Sequence, residues 1–143
     1  MKRLVLFFSV LALAFTALNC GGSSEKEAKE NTKVEAIAEG DVVVYYFHGK
    51  QRCRTCVGIQ NISNEAIAEA FTDNSNVKFV EIDFSERANA ELADKYEIAF
   101  SSLVVATKTE HINLTEYAFA NVNSNPDALK EALVGEVNKY LNK

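Results

Sequence analysis

Proline is almost absent from this 143-residue chain, with one residue, and glycine is sparse, with six; together they exclude collagen-like and low-complexity sequences. Basic charge is short as well. Lys and Arg number 15 against 20 Asp and Glu, a net charge of −5 and the wrong sign for general nucleic-acid binding. The chain also lacks internal repeats. What it does have is 48% apolar, 10% aromatic and 24% charged residues, a globular composition. The length fits one domain with appendages and leaves no room for a second catalytic domain.

The N-terminus begins Met1-Lys2-Arg3 and continues into an apolar run from Leu4 to Leu18, too short for a spanning helix but right for the core of an export signal. Asn19-Cys20-Gly21-Gly22-Ser23-Ser24 follows, then Glu/Lys-rich sequence. The segment resembles a bacterial lipoprotein signal, which implies that Cys20 becomes the lipidated first residue. Cleavage at Ala12-Leu13-Ala14 or Phe15-Thr16-Ala17, leaving Cys20 free, and an uncleaved anchor are the alternatives. The expected organisation is a signal over 1–19, a lipid-anchored tether over 20–39 and a folded domain over 40–143. The expected location is the cell envelope, with the lipid anchor on a bacterial membrane. Loss of 1–19 takes Lys2 and Arg3 from the 15 basic residues, so 13 face 20 acidic ones and the balance becomes −7.

An exported protein with three cysteines has one left over unless something consumes it. Lipidation consumes Cys20 and leaves Cys53 and Cys56. A disulfide between residues this close would close a very small loop, which removes little unfolded-chain entropy. The pair is therefore more plausibly chemical than structural.

Val42 to Phe47 is a continuous β-branched and aromatic run, the pattern of a strand buried on both faces. Before it, Val34 to Glu39 reads either as the end of the tether or as a short helix. After the polar stretch His48–Thr55, apolar positions at Val57, Ile59, Ile62, Ala66, Ile67, Ala70 and Phe71 have helical spacing, with a break expected near Asn61–Asn64. Val77–Asp83 alternates like a strand, and Ser85 is placed to cap a helix carrying Ala88, Leu92 and Tyr96. Leu103–Ala106 reads as a strand, Lys108-Thr109-Glu110 as a turn, and His111 to Ala120 as the returning strand of a hairpin. Asn125-Pro126-Asp127 is a strong helix start, and Leu129, Leu133, Val137 and Leu141 share one face of the last helix.

This order, β-α-β-α-β-β-α, with Cys53-Arg54-Thr55-Cys56 between the first strand and its helix, resembles the thioredoxin-like fold over roughly residues 40–142. The resemblance implies a single α/β domain, a mixed central sheet flanked by helices. It also implies that Cys53 is the exposed nucleophile and Cys56 the resolving thiol. The same position has an independent rationale, because free N–H groups and the positive dipole end at a helix N-terminus favour a thiolate. Lys50, Arg52 and Arg54 surround it with cations, and His48 adds a ring of a type that charges near neutrality. Each Lys or Arg taken singly reads as solvated loop, while the cluster, in an acidic protein, reads as tuning the thiol or recognising an acidic partner; His48 reads equally as strand-end packing, and His111 as hairpin surface.

Two positions depart from the thioredoxin pattern. Ser101 or Ser102 stands where the family has a cis-proline facing the cysteines, so a trans backbone is expected. A serine there can donate to a thiolate or alter how a substrate chain lies. Tyr46 stands where thioredoxins keep a buried acid.

The function these features imply is thiol–disulfide exchange with a protein partner in the envelope. No motif calls for a cofactor or a resident metal. A non-catalytic module that keeps the fold and its disulfide is one alternative, and Cu(I) binding by two thiolates a lesser one. Zinc would need two further ligands, with only His48 near, and haem attachment fails because Val57 follows Cys56. The triplets Asn61-Ile62-Ser63 and Asn113-Leu114-Thr115 are chance glycosylation matches in a chain with a bacterial signal.

Overall fold

The computed structural model describes residues 36–143. The expected signal, Cys20 and all but the last four positions of the expected tether lie outside them. Residues 36–40 approach the domain without helix, ending in a turn, and Ile37 packs against the sheet. Among the described residues no helix is long and apolar enough to cross a membrane.

β1 (Val42–His48) is the central strand, and its first six residues are all buried. It pairs in parallel with β2 (Val77–Asp83), from Val42 opposite Val77 to His48 opposite Asp83. On its other side it pairs antiparallel with β3 (Ser102–Ala106), with Phe47 opposite Ser102. β4 (His111–Asn113) closes the sheet, antiparallel to β3, giving the order β2-β1-β3-β4. The helices are α1 (Arg54–Ala70), α2 (Ala90–Lys95) after a 3-10 turn at Arg87–Asn89, α3 (Thr115–Asn121) and α4 (Pro126–Leu141).

Side chains alternate across a strand, so β1 serves two cores. Val42, Val44 and Tyr46 face Ile59 and Ile67 of α1, Ala118 of α3, and Leu129, Leu133 and Val137 of α4. Val43, Tyr45 and Phe47 face the opposite way, toward Ile82, Tyr96 and Val104, with Leu92 of α2. Each large side chain buried in this way contributes about 1.5–3 kcal/mol of transfer free energy. A parallel β1-α1-β2 unit, a β3-β4 hairpin and a final helix against a sheet of this order make a single thioredoxin-like α/β domain.

Three local expectations are corrected. His111–Ala120 is not one returning strand: β4 stops after three residues and α3 follows. Leu114, Ala118 and Val122 recur every fourth residue, a helical period, and all three are buried. α1 runs unbroken through Asn61–Asn64 because Ser63 turns inward while both asparagines face solvent. Ser85 does not cap a helix; its amide and hydroxyl both donate to Asp83 Oδ1. The expected start of the last helix does form, with Asn125 Oδ1 accepting from Ala128 N at 3.3 Å and Pro126 in the first turn.

Candidate active site

The cysteine pair sits where the central strand hands over to α1. Phe84 N donates to His48 O at 2.9 Å, tying the end of β1 to β2. Gly49 follows with Phe84 so close that a Cβ would lie 3.3 Å from its ring. Cys53 is the N-cap of α1, in extended conformation, and its Sγ accepts from Cys56 N at 3.0 Å. The first turn of α1 contains no acidic residue, so nothing there offsets the positive helix end.

Cys53 and Cys56 are joined by a disulfide, with Cα atoms 5.1 Å apart. The two sulfurs differ in access. Cys53 is exposed, while Cys56, one turn into the helix, is only 8% exposed. A sulfur nucleophile approaching from solvent therefore meets Cys53.

The surroundings are organised by Glu81 on β2. Tyr46 pairs with Glu81 across the parallel strands, so both side chains share the α1 face of the sheet. Glu81 Oε1 accepts from Arg52 Nη1 at 2.8 Å and lies 2.9 Å from His48 Nε2, while Oε2 accepts from Gln60 Nε2 at 2.6 Å. The Arg52 guanidinium also stands 6.0 Å from the centre of the Tyr46 ring. The Tyr46 hydroxyl donates to Cys56 O at 2.6 Å, a buried hydrogen bond from the sheet to the first turn of α1. Burial raises the Tyr46 phenol above its ordinary value, opposed by the Ser101 hydroxyl and the Arg52 charge. The shift favours the neutral phenol that donates this hydrogen bond.

Of the residues singled out in the sequence, His48 and Arg52 meet on one carboxylate. His48 Nδ1 lies 3.0 Å from Gly49 O, and its ring stacks near Tyr46. Arg54 is exposed in the first turn of α1. Ser101 is half-buried beside the Tyr46 hydroxyl, and Ser102 Oγ donates to Phe100 O at 2.8 Å. No cis peptide bond occurs among the described residues, so the Ser101-Ser102 path is trans. His111 is exposed and set edge-on against Tyr96. Cys20 lies outside the described residues.

Sequence reasoning missed Glu81 and Gln60. The signal for Glu81 was its phase: it follows Val77 and Phe79 on one strand face, where an acid is out of place. Val57 and Phe100 leave apolar surface exposed at the first turn of α1 and before β3. An open groove of about 590 Å³, lined by Ile67, Phe71 and Phe79 among others, lies toward the start of β2, the end of that strand remote from Glu81. Among the described residues no three His, Cys, Asp or Glu side chains are placed to hold a metal ion.

No family model matches the chain, and no curated protein matches it. Among solved structures it is similar to one described as a malarial protein, with a TM-score of 0.44 and 18% identity over 64% of this chain and 96% of that one. It is also similar to human ERp44 in its zinc-bound form, with a TM-score of 0.47 and 16% identity over 65% of this chain and 27% of that one. Sheet order and connectivity carry the thioredoxin-like fold.

Proposed function

We propose that the protein is an exported thiol–disulfide oxidoreductase, held at an envelope membrane through lipidated Cys20, that exchanges electrons with a protein partner. The observation that carries the reading is the unequal access of the two linked sulfurs: Cys53 exposed at the helix N-cap, Cys56 buried one turn later. The lipoprotein-like pattern through Cys20 supports the anchor and the location. A single lipid chain binds a membrane only marginally, and bacterial lipoproteins normally carry more than one.

In the reduced protein, the Cys53 thiolate attacks a partner disulfide, forming a Cys53–partner disulfide and releasing the partner's other sulfur as thiolate. Cys56, deprotonated, then attacks Cys53 Sγ and displaces the second partner sulfur. Two electrons pass from the cysteine pair to the partner, one disulfide is exchanged for another, and no further oxidant is consumed. The reverse sequence starts with a partner thiolate attacking Cys53 of the disulfide observed here.

Cys56→Ser is expected to accumulate a mixed disulfide through Cys53, and Cys53→Ser to abolish it, as read by non-reducing electrophoresis and peptide mass spectrometry. Graded thiol–disulfide buffers should give a reversible two-electron transition confined to this pair. A pair that stays inert in either form would instead favour the non-catalytic module. Trapping through Cys56 in place of Cys53 would reverse the assigned roles.

A further inference from the structure

The loop before the nucleophile is rich in cations, yet Arg52, the one immediately preceding Cys53, is already bound, while Arg54 on its other side is exposed. Arg52 Nη1 is held by Glu81 at 2.8 Å, and its Nε and Nη2 are buried without an acceptor among the described residues. The other oxygen of the same carboxylate binds Gln60, in the second turn of α1. One side chain on β2 thus grips the chain on both sides of the Cys53–Cys56 disulfide. His48, from the end of β1, reaches the oxygen that binds Arg52.

We propose that Glu81 is a positioning residue of the redox pair: it fixes Arg52 against the sheet and neutralises it, making Cys53 a weaker acid than its cationic loop would otherwise produce. The inference rests on the thiol–disulfide reading for its consequence, because a less stabilised thiolate makes the reduced pair the better reductant.

The charged and titratable groups contributed by the neighbouring elements are Tyr46 and His48 from β1, Lys50 and Arg52 from the loop, Arg54 from α1, and Glu81 and Asp83 from β2. Ile98 to Leu103, leading into β3, carries no charged residue. Asp83 is engaged by the amide and hydroxyl of Ser85. Among the described residues Glu81 is the acid that contacts Arg52, and it acts on Cys53 through it.

The experiment follows alkylation of Cys53 by iodoacetamide across pH in the full-length reduced protein, resolved by peptide mass spectrometry. Glu81→Gln removes the charge but keeps an oxygen for Arg52, and the Gln60 amide can turn to accept because its Oε1 has no partner among the described residues. The expected result is a Cys53 midpoint at lower pH, with alkylation about threefold faster below the midpoint, the scale of one nearby charge in partly solvated protein. Arg52→Gln alone should move the midpoint the opposite way. The double variant Glu81→Gln/Arg52→Gln should return close to the native profile, which a purely structural role for Glu81 would not produce.

A Glu81→Gln profile superimposed on the native one, or a shift that persists in the double variant, overturns the proposal. Alkylation reports acidity whether or not the pair exchanges with a partner. A moved profile with no mixed-disulfide trapping would therefore defeat only the exchange reading, and trapping with an unmoved profile only the role of Glu81.

Discussion

Tyr46 shows how one side chain links the sheet to the cysteine pair. Its ring belongs to the core on the α1 face, while its hydroxyl reaches the Cys56 carbonyl at 2.6 Å. That carbonyl lies in the first turn of a helix whose N-cap is Cys53, so the bond fixes Cys56 to the central strand. Tyr46→Phe keeps the ring and removes the hydroxyl. The expected cost is about 0.5–1.5 kcal/mol, the net value of a neutral hydrogen bond, read as a lower urea midpoint with an unchanged m-value. An unchanged midpoint would mean that the helical packing of α1 alone holds the pair in place.

Thr115 plays the comparable role for α3. Its Oγ1 accepts from Leu103 N at 3.0 Å in a buried hydrogen bond, and its own amide donates to Asn113 Oδ1. Leu114 N donates to Leu103 O, so the start of α3 is bound to the start of β3, on the strand that leads from Ser101-Ser102. Thr115→Val preserves shape but leaves the Leu103 amide buried and unpaired, and should cost about 1–3 kcal/mol in denaturant unfolding. A change within error would show that the amide finds another acceptor. The same segment explains what the sequence hid. Ile112 and Leu114 fit a period-2 strand pattern, and the helical spacing Leu114-Ala118-Val122 emerges only over a longer window. β1, the cysteine junction and α4 were legible because their signals are local: an uninterrupted apolar run, a C-x-x-C, and Asn-Pro-Asp before a leucine stripe. Glu81 was not, because its partners come from β1, the loop and α1. The parallel register of β1 on β2, a long-range property, decides that they meet.

At the scale of the whole molecule, one sheet carries titrating groups toward both of its faces, and each face contributes to one pH limb of stability. For Asp83, burial alone would raise the carboxyl, but the Ser85 hydroxyl and amide, with the charges of His48 and Lys50, outweigh it and hold the carboxyl below its ordinary value. A carboxyl depressed in the folded state contributes stability that is complete above the unfolded value and is lost as pH falls through the folded one. On the other face, burial first and the Tyr96 charge second push Tyr45 up to about 12. The unfolded chain ionises that phenol near 10, before the folded protein does, so the contribution is complete below that pH and is lost as pH rises toward 12. Stability measured by urea unfolding across pH should therefore fall at both ends. Ser85→Ala removes one of the two donors to Asp83 and should weaken the acid limb while leaving the alkaline limb in place. Tyr45→Phe should flatten the alkaline limb and leave the acid one unchanged. Acid limbs that coincide in native and Ser85→Ala protein would assign the acid loss to other carboxylates, and an alkaline limb that survives Tyr45→Phe would assign that loss to Tyr46 or Tyr140, whose phenols burial also raises, or to Lys130 and Lys143, raised by their hydrogen bonds to Glu65 and Glu110.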